Sequence, residues 1–200
     1  MPLVRTKAFL TDVLNATSLV KEYDKQCVIH NNITVTHKTT YMLPIETIAP
    51  NFELYSTPDQ KLRLNEMRNK KIVLAFYPAD WSPVCDDQMT LYNEMGKYFA
   101  RHNAQVIGVS VDSKWSHLAF SQHRKFHFPL LSDFEPKGNV ARLYEVYDEK
   151  TGVCERAIYV IDERGIIRWN YLSPVGINPG ADGILNALEE MDQVKSNLLI

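Results

Sequence analysis

The sequence predicts an α/β fold: a central mixed β-sheet flanked by helices on both faces, preceded by an N-terminal extension. Three observations predict it. An apolar run rich in β-formers, Ile72 to Tyr77, reads as a buried strand. Strand-like and helix-like patterns alternate after it, the pattern of parallel strands joined by crossover helices. Two further strand-like runs follow, joined by Asp162-Glu163-Arg164-Gly165, the turn of an antiparallel hairpin.

The elements follow in order. Residues 1–44 form the extension. Within it, Phe9, Val13, Leu14, Leu19, Val20 and Tyr23 make an imperfect stripe for a helix over 5–24. Cys27 to His30 and Ile33 to Thr36 look extended around the turn-prone Asn31-Asn32. Met42 to Pro50, with two prolines, reads as a linker into a main domain spanning 45–200. The strand 72–77 stops at Pro78, because proline cannot continue a central ladder. Val84, Cys85, Met89, Tyr92, Met95 and Phe99 recur mostly at three- and four-residue spacing and predict a helix over 84–101. A strand at 105–110, a helix at 114–125, an extended piece at 129–131 and a helix at 137–144 come next. Strands at 157–161 and 166–171 form the hairpin. A last helix, 181–192, carries Ile184, Leu185, Leu188 and Met191 on one face. This is the order of a thioredoxin-like fold.

Composition narrows the function. The 200 residues are 45% apolar and 23% charged, ordinary for a globular protein. A net charge of −2 gives no basic field for nucleic acid. No apolar run approaches the roughly 20 residues of a membrane-spanning helix, and no signal peptide is expected at the start. Three cysteines, Cys27, Cys85 and Cys154, make no disulfide framework. They suit a reducing compartment, so a cytoplasmic location is expected.

Cys85 sits in the first turn of a helix that follows a buried strand. Unpaired N–H groups and the positive end of the helix dipole point at that turn and favour a thiolate. Three residues earlier stands Ser82, not a second cysteine, so the nucleophile has no partner for a CxxC disulfide. That disfavours a thioredoxin-type disulfide reductase.

Pro78-x-x-x-Ser82-x-x-Cys85 resembles the active-site signature of the peroxiredoxins. Four other segments are similar to the family, in its order: Ala49-Pro50-Asn51-Phe52; Ser110-Val111-Asp112-Ser113 with His117-Leu118-Ala119-Phe120; Phe128 to Asp133; and Arg156 to Asp162 with Gly165. The likeness runs from about Ile45 to Met191. It implies a thiol-dependent peroxidase reducing hydrogen peroxide or alkyl hydroperoxides through a cysteine sulfenic acid, with no cofactor and no metal. Its partners would be a hydroperoxide, a thiol reductant (a thioredoxin-like protein or a small thiol) and at least one further copy of the chain. The alternative is a non-peroxidatic redox sensor or binding protein on the same scaffold.

The resemblance also assigns roles. Cys85 attacks the peroxide. The Ser82 hydroxyl, able to donate and accept, holds its oxygens, and serine is equally suited to cap the helix. Pro78 shields the thiolate. Arg156 lies close to Cys85 and stabilises charge on sulfur and on the leaving oxygen; the residues alone would pair it with Glu155 or Asp162 on the surface. Gln88 stands where many members have a glutamate that orients the arginine. Asp86 and Asp87 suit the helix dipole and are expected to point away from the sulfur. Trp81 is read as a packing or dimer-contact residue, Trp115 and Trp169 as half-buried, and His117, His123 and His127 as solvated or packing residues. Neither spare cysteine stands at a resolving position of the family, which favours a one-cysteine enzyme and an external thiol. Cys154, two residues before Arg156, would share a face with it on a common strand and approach Cys85. Cys27 could reach in from the extension.

Overall fold

The computed structural model describes residues 42–197. The helix and two strands expected within 1–41, and Cys27 with them, lie outside the described residues. A seven-stranded sheet organises the rest. Its strands are β1 (Glu53–Tyr55), β2 (Lys61–Arg63), β3 (Lys71–Phe76), β4 (Ala104–Ser110), β5 (Leu130–Ser132), β8 (Arg156–Ile161) and β9 (Ile167–Ser173), in the order β2-β1-β5-β4-β3-β8-β9. A small separate ribbon pairs β6 (Tyr147–Asp148) with β7 (Val153–Cys154). β3, β4 and β5 run parallel, while β8 and β9 are antiparallel additions on one side and β1 and β2 on the other.

Parallel neighbours need crossover connections, and helices supply them. α1 (Pro83–Glu94) and α2 (Gly96–Arg101) join β3 to β4. α3 (Lys114–Arg124) joins β4 to β5. α4 (Asn139–Leu143) follows β5, and α5 (Asp182–Asn197) follows β9. The sheet separates two cores. Val73, Ala75 and Tyr77 face Cys85, Met89 and Tyr92 of α1, Phe120 of α3 and Ile184 and Leu188 of α5. Ile72, Leu74 and Phe76 face the other way, toward Val140 and Ala141 of α4, Tyr144 and Cys154. β3 is covered on both faces, which is why its sequence is apolar without alternation.

Gly108 in β4 shows how closely α1 sits on the sheet. A Cβ there would lie 2.6 Å from Leu130 Cδ2, 3.2 Å from Tyr77 and 3.5 Å from the Met89 sulfur. Only glycine lets these side chains meet over the strand.

The structure departs from the sequence reading in several places. The helix expected over 84–101 breaks at Met95, ahead of Gly96, a weak helix former that starts a second short helix. β1 and β2 were assigned no strand; each has three residues, too few to display a period. The helix expected over 137–144 shrinks to 139–143, its first turn capped by the Asp133 carboxylate, which accepts from the N–H groups of Val140 and Ala141. Finally, the linker is held to the domain. Leu43 N–H donates to Tyr159 Oη (3.1 Å), Asn170 Nδ2 donates to the Leu43 carbonyl (2.7 Å), and Ile48 bridges Ile166.

The β8–β9 turn is built on Asp162. Its carboxylate accepts from the N–H groups of Arg164 and Ile166 (both 2.9 Å) and from Arg168 Nε and Nη2 (2.9 and 2.7 Å). Burial alone would raise its pKa, but these donors outweigh burial and hold the carboxyl below the usual range. A carboxyl with a depressed folded pKa stabilises the fold above its unfolded value of about 3.9 and loses that contribution as pH falls through the lower folded value. Asp162→Asn should therefore cost about 2 kcal/mol at neutral pH. Urea unfolding measured from pH 7 to pH 2 should also show a shallower acid decline for the variant; parallel curves would refute the linkage.

Candidate active site

β3 delivers the chain to the site. Tyr77 continues the ladder by donating its N–H to the Val109 carbonyl (3.1 Å), and Pro78, with no N–H, ends it. Asp80 N–H then donates to Asp112 Oδ2 (2.8 Å). Trp81 takes a left-handed conformation (φ +64°), unusual for a bulky residue. Ser82 is extended at the helix N-cap and Pro83 occupies the first helical position, where its missing N–H costs nothing. Cys85 falls in the first turn of α1 and is fully buried.

A buried polar cluster fixes this segment from below. The Asp80 carboxylate accepts from Tyr77 Oη (2.8 Å) and Ser116 Oγ (2.7 Å), and His117 Nδ1 lies 3.0 Å from its Oδ2. His117 Nε2 donates to the Leu131 carbonyl (3.1 Å). Burial, with Asp80 alongside, pushes the Tyr77 phenol well above its ordinary range, so it stays a donor. Asp112, which holds the Asp80 N–H, accepts in turn from Ser110 Oγ (2.6 Å).

Arg156 opens β8. The antiparallel register pairs Ala157 with Phe76, so Arg156 arrives at the end of β3, beside the start of α1. The surface pairing with Glu155 or Asp162 that the residues alone would give does not form. Arg156 is only 1% exposed. Its Nη2 donates to Cys85 Sγ (3.4 Å) and to the Val175 carbonyl (2.8 Å). Its Nε donates to the same carbonyl (3.0 Å), and Nη1 donates to Gln88 Oε1 (2.6 Å). Gln88, one turn after Cys85 on the same helix face, also donates from Nε2 to Tyr92 Oη (3.3 Å). These partners are neutral carbonyl oxygens and one sulfur. Sγ is thus the atom in contact with the guanidinium that can carry a compensating negative charge.

The remaining residues sort simply. The Ser82 side chain makes no capping bond, leaving its hydroxyl unused at the helix start. Pro78 is half-buried. Asp86 turns away from the sulfur to pair with Arg124 of α3, and Asp87 is exposed. Trp81 lies over Phe120 and His123 (centroids 4.9 and 5.6 Å) and stays half exposed. Trp169 packs against Gly183 and Tyr171. Trp115 is exposed, not half-buried as the sequence suggested. His117 is a buried tether, and the His127 N–H donates to Asn93 Oδ1 (2.8 Å).

Cys154 departs from expectation. It ends β7, and Glu155, whose N–H bonds the Val146 carbonyl, separates it from β8, so Cys154 and Arg156 do not share a strand. Cys154 packs in the core on the α4 side, and Cys85 packs on the other, with the sheet between them. Burial, with Asp133 and Asp112 nearby, pushes the Cys154 thiol well above its ordinary range. A thiol held protonated is a poor nucleophile.

Two contributors escaped the sequence reading. The Asp80–His117 cluster was visible only as scattered polar residues, although Asp112 and His117 lie within segments already singled out. The Val175 carbonyl carries no sequence signal, since any residue offers one.

The sequence model of the AhpC/TSA family matches residues 45–170. The chain is 34% identical over 160 residues to the chloroplastic 2-cysteine peroxiredoxin of Chattonella marina var. antiqua, covering 74% of this chain and 80% of that one. Among solved structures it resembles AhpC of Enterococcus faecalis (TM-score 0.68, 28% identity, covering 76% of this chain and 94% of that one). It also resembles a yeast mitochondrial 1-Cys peroxiredoxin (TM-score 0.69, 26% identity, covering 78% and 79%). With the family matched over more than half its length and a thioredoxin-like scaffold beneath the match, the chain belongs to the AhpC/TSA family of peroxiredoxins.

Proposed function

We propose that this thiol-dependent peroxidase uses Cys85 as its nucleophile, with Arg156, Ser82 and Pro78 around it. The contact that carries the proposal is Arg156 Nη2 to Cys85 Sγ at 3.4 Å, made by a buried cation whose other partners among the described residues are neutral. The Cys85 thiolate attacks the terminal oxygen of hydrogen peroxide or an alkyl hydroperoxide. The S–O bond forms as the O–O bond breaks, and the leaving oxygen takes a proton and departs as water or alcohol. Arg156 stabilises the charge as it passes from sulfur to that oxygen. The Ser82 hydroxyl, which makes no capping bond to the helix, would donate to one peroxide oxygen. Pro78 excludes water beside the sulfur.

The sulfenic acid is then reduced from outside. A thiol displaces the hydroxyl as water to give a mixed disulfide, and a second thiol releases Cys85. The position of Cys154 across the sheet supports this one-cysteine route. A thioredoxin-like protein or a small thiol would be the reductant, and a reducing compartment such as the cytoplasm suits it. The exposed Trp81, and β9 as an edge strand of the described sheet that the linker covers only at its start, support assembly into at least a dimer. Light scattering at micromolar concentration should give a mass of two chains or more; a concentration-independent monomer would refute the assembly.

Cys85→Ser should abolish peroxide consumption, while Cys154→Ser and Cys27→Ser retain the first oxidation. Stopped-flow consumption, with intact mass after one equivalent of peroxide, reads this directly. A fully active Cys85→Ser variant would remove the assignment. Arg156→Ala should slow the reaction by a factor on the order of 10² or more, the loss expected for a donor aimed at developing charge. Gln88→Leu, which leaves Nη1 unbonded, should slow it by about tenfold. Unchanged rates in both would place the guanidinium outside the chemistry.

A further inference from the structure

The buried polar cluster under the nucleophile has a hydrogen inventory of its own. His117 is 2% exposed and Asp80 is 6% exposed. His117 Nε2 lies 3.1 Å from the Leu131 carbonyl, and Nδ1 lies 3.1 and 3.0 Å from the two Asp80 oxygens. A carbonyl and a carboxylate can only accept. A neutral imidazole has one N–H and could serve one of them, leaving a lone pair against the other. Both ring nitrogens therefore carry hydrogen in this arrangement, and the ring bridges the loop after β3 to β5 as a double donor. The other side chains that reach the carboxylate are donors too. Tyr77, just after β3, donates to Oδ1 (2.8 Å), and Ser116 of α3 donates to Oδ2 (2.7 Å). Asp112, after β4, takes the Asp80 N–H instead.

What this anchoring serves lies one and two residues further on. Trp81 has φ +64°, a left-handed backbone that a bulky residue adopts only at a cost. Ser82 returns to an extended conformation (φ −71°, ψ 140°) and starts α1. One strained residue thus separates a carboxylate held by three side chains from the hydroxyl proposed to hold the peroxide. Relaxation of Trp81 toward negative φ would turn Ser82. It would leave the other half of the site in place, because Arg156 is delivered by β8 and held by Gln88 and the Val175 carbonyl.

We infer that His117 is a positioning residue for the peroxidase reaction: by donating to Asp80 it holds the Trp81 turn, and with it the Ser82 hydroxyl, against the peroxide. The inference rests on the peroxidase reading above. Among the described residues His117 bonds neither Cys85 nor Arg156, so it acts on the oxygen-holding side of the site and not on the sulfur. The two sides are therefore separable by measurement.

The test compares His117→Asn with His117→Gln in the full chain. Both remove the imidazole, but they keep different bonds. An asparagine amide can stand where Nδ1 stands and donate to Asp80. A glutamine amide reaches the Nε2 position and donates to the Leu131 carbonyl. Stopped-flow peroxide consumption should keep His117→Asn within about threefold of native and slow His117→Gln by about tenfold or more. The pH dependence of Cys85 alkylation, read by mass spectrometry of the Cys85 peptide, should be the same in all three proteins. Equal losses in the two variants would show a merely structural histidine and overturn the inference. A native rate in His117→Gln, or an alkylation profile shifted in it, would also overturn it. Ser116→Ala takes a second donor from the same carboxylate with little change in volume, and should slow the reaction by about threefold. If either His117 variant fails to fold, Ser116→Ala decides, and an unchanged rate there overturns the inference. A native chain that consumes no peroxide would instead remove the peroxidase reading on which the inference stands.

Discussion

A guanidinium that is almost wholly withdrawn from water is the constraint around which the site is arranged. Ionised groups are costly to bury unless their charge is matched and their donors are satisfied. Arg156 meets the second requirement with the Gln88 amide oxygen and the Val175 carbonyl. Among the described residues no carboxylate bonds it, and the one non-carbonyl partner is the sulfur of Cys85. Several distant features serve this arrangement. The β3–β8 register carries Arg156 to the helix start, the three-residue spacing in α1 puts Gln88 beside Cys85, and the loop after β9 turns one carbonyl inward. Glutamine at position 88 satisfies a donor without neutralising the charge, so the cation stays directed at the sulfur.

The sheet divides the protein chemically as well as physically. On the α1 face are Cys85, the arginine that contacts it and the close packing over Gly108. On the α4 face is Cys154, protonated and enclosed. The two cysteines of the described residues are thereby kept from meeting across the sheet. Beneath the nucleophile, Asp80 and His117 tie the Pro78–Ser82 segment to β5 and α3, offsetting the awkward backbone at Trp81.

Much of this was legible in the sequence, and the parts that were not share a physical cause. The strand at 72–77, the helix start at Ser82-Pro83 and the hairpin turn at Asp162 each rest on local rules of period, capping and turn chemistry. Local rules also placed Cys85 in the first turn, while Gln88 was singled out by the resemblance. The position of Arg156 came from resemblance, because register across strands depends on the whole sheet; the residues alone suggested a surface ion pair. The Cys154 reading assumed an unbroken strand, and one residue, Glu155, invalidated the two-residue period. β1 and β2 are too short to show any period. The Val175 carbonyl is a backbone group, and sequence says nothing about which carbonyl a loop will turn inward.

Trp81 has a further consequence. Its indole is half exposed, leans on Phe120 and His123, and belongs to the segment that carries Cys85. Indole emission shifts with the polarity around the ring and is altered by neighbouring side chains. Trp169 is packed against Gly183 and Trp115 already faces solvent, so neither is coupled to that segment in the same way. Any rearrangement between Pro78 and Cys85 therefore changes the surroundings of one tryptophan among three. The chain carries its own optical gauge of the segment that leads into Cys85, readable without a label.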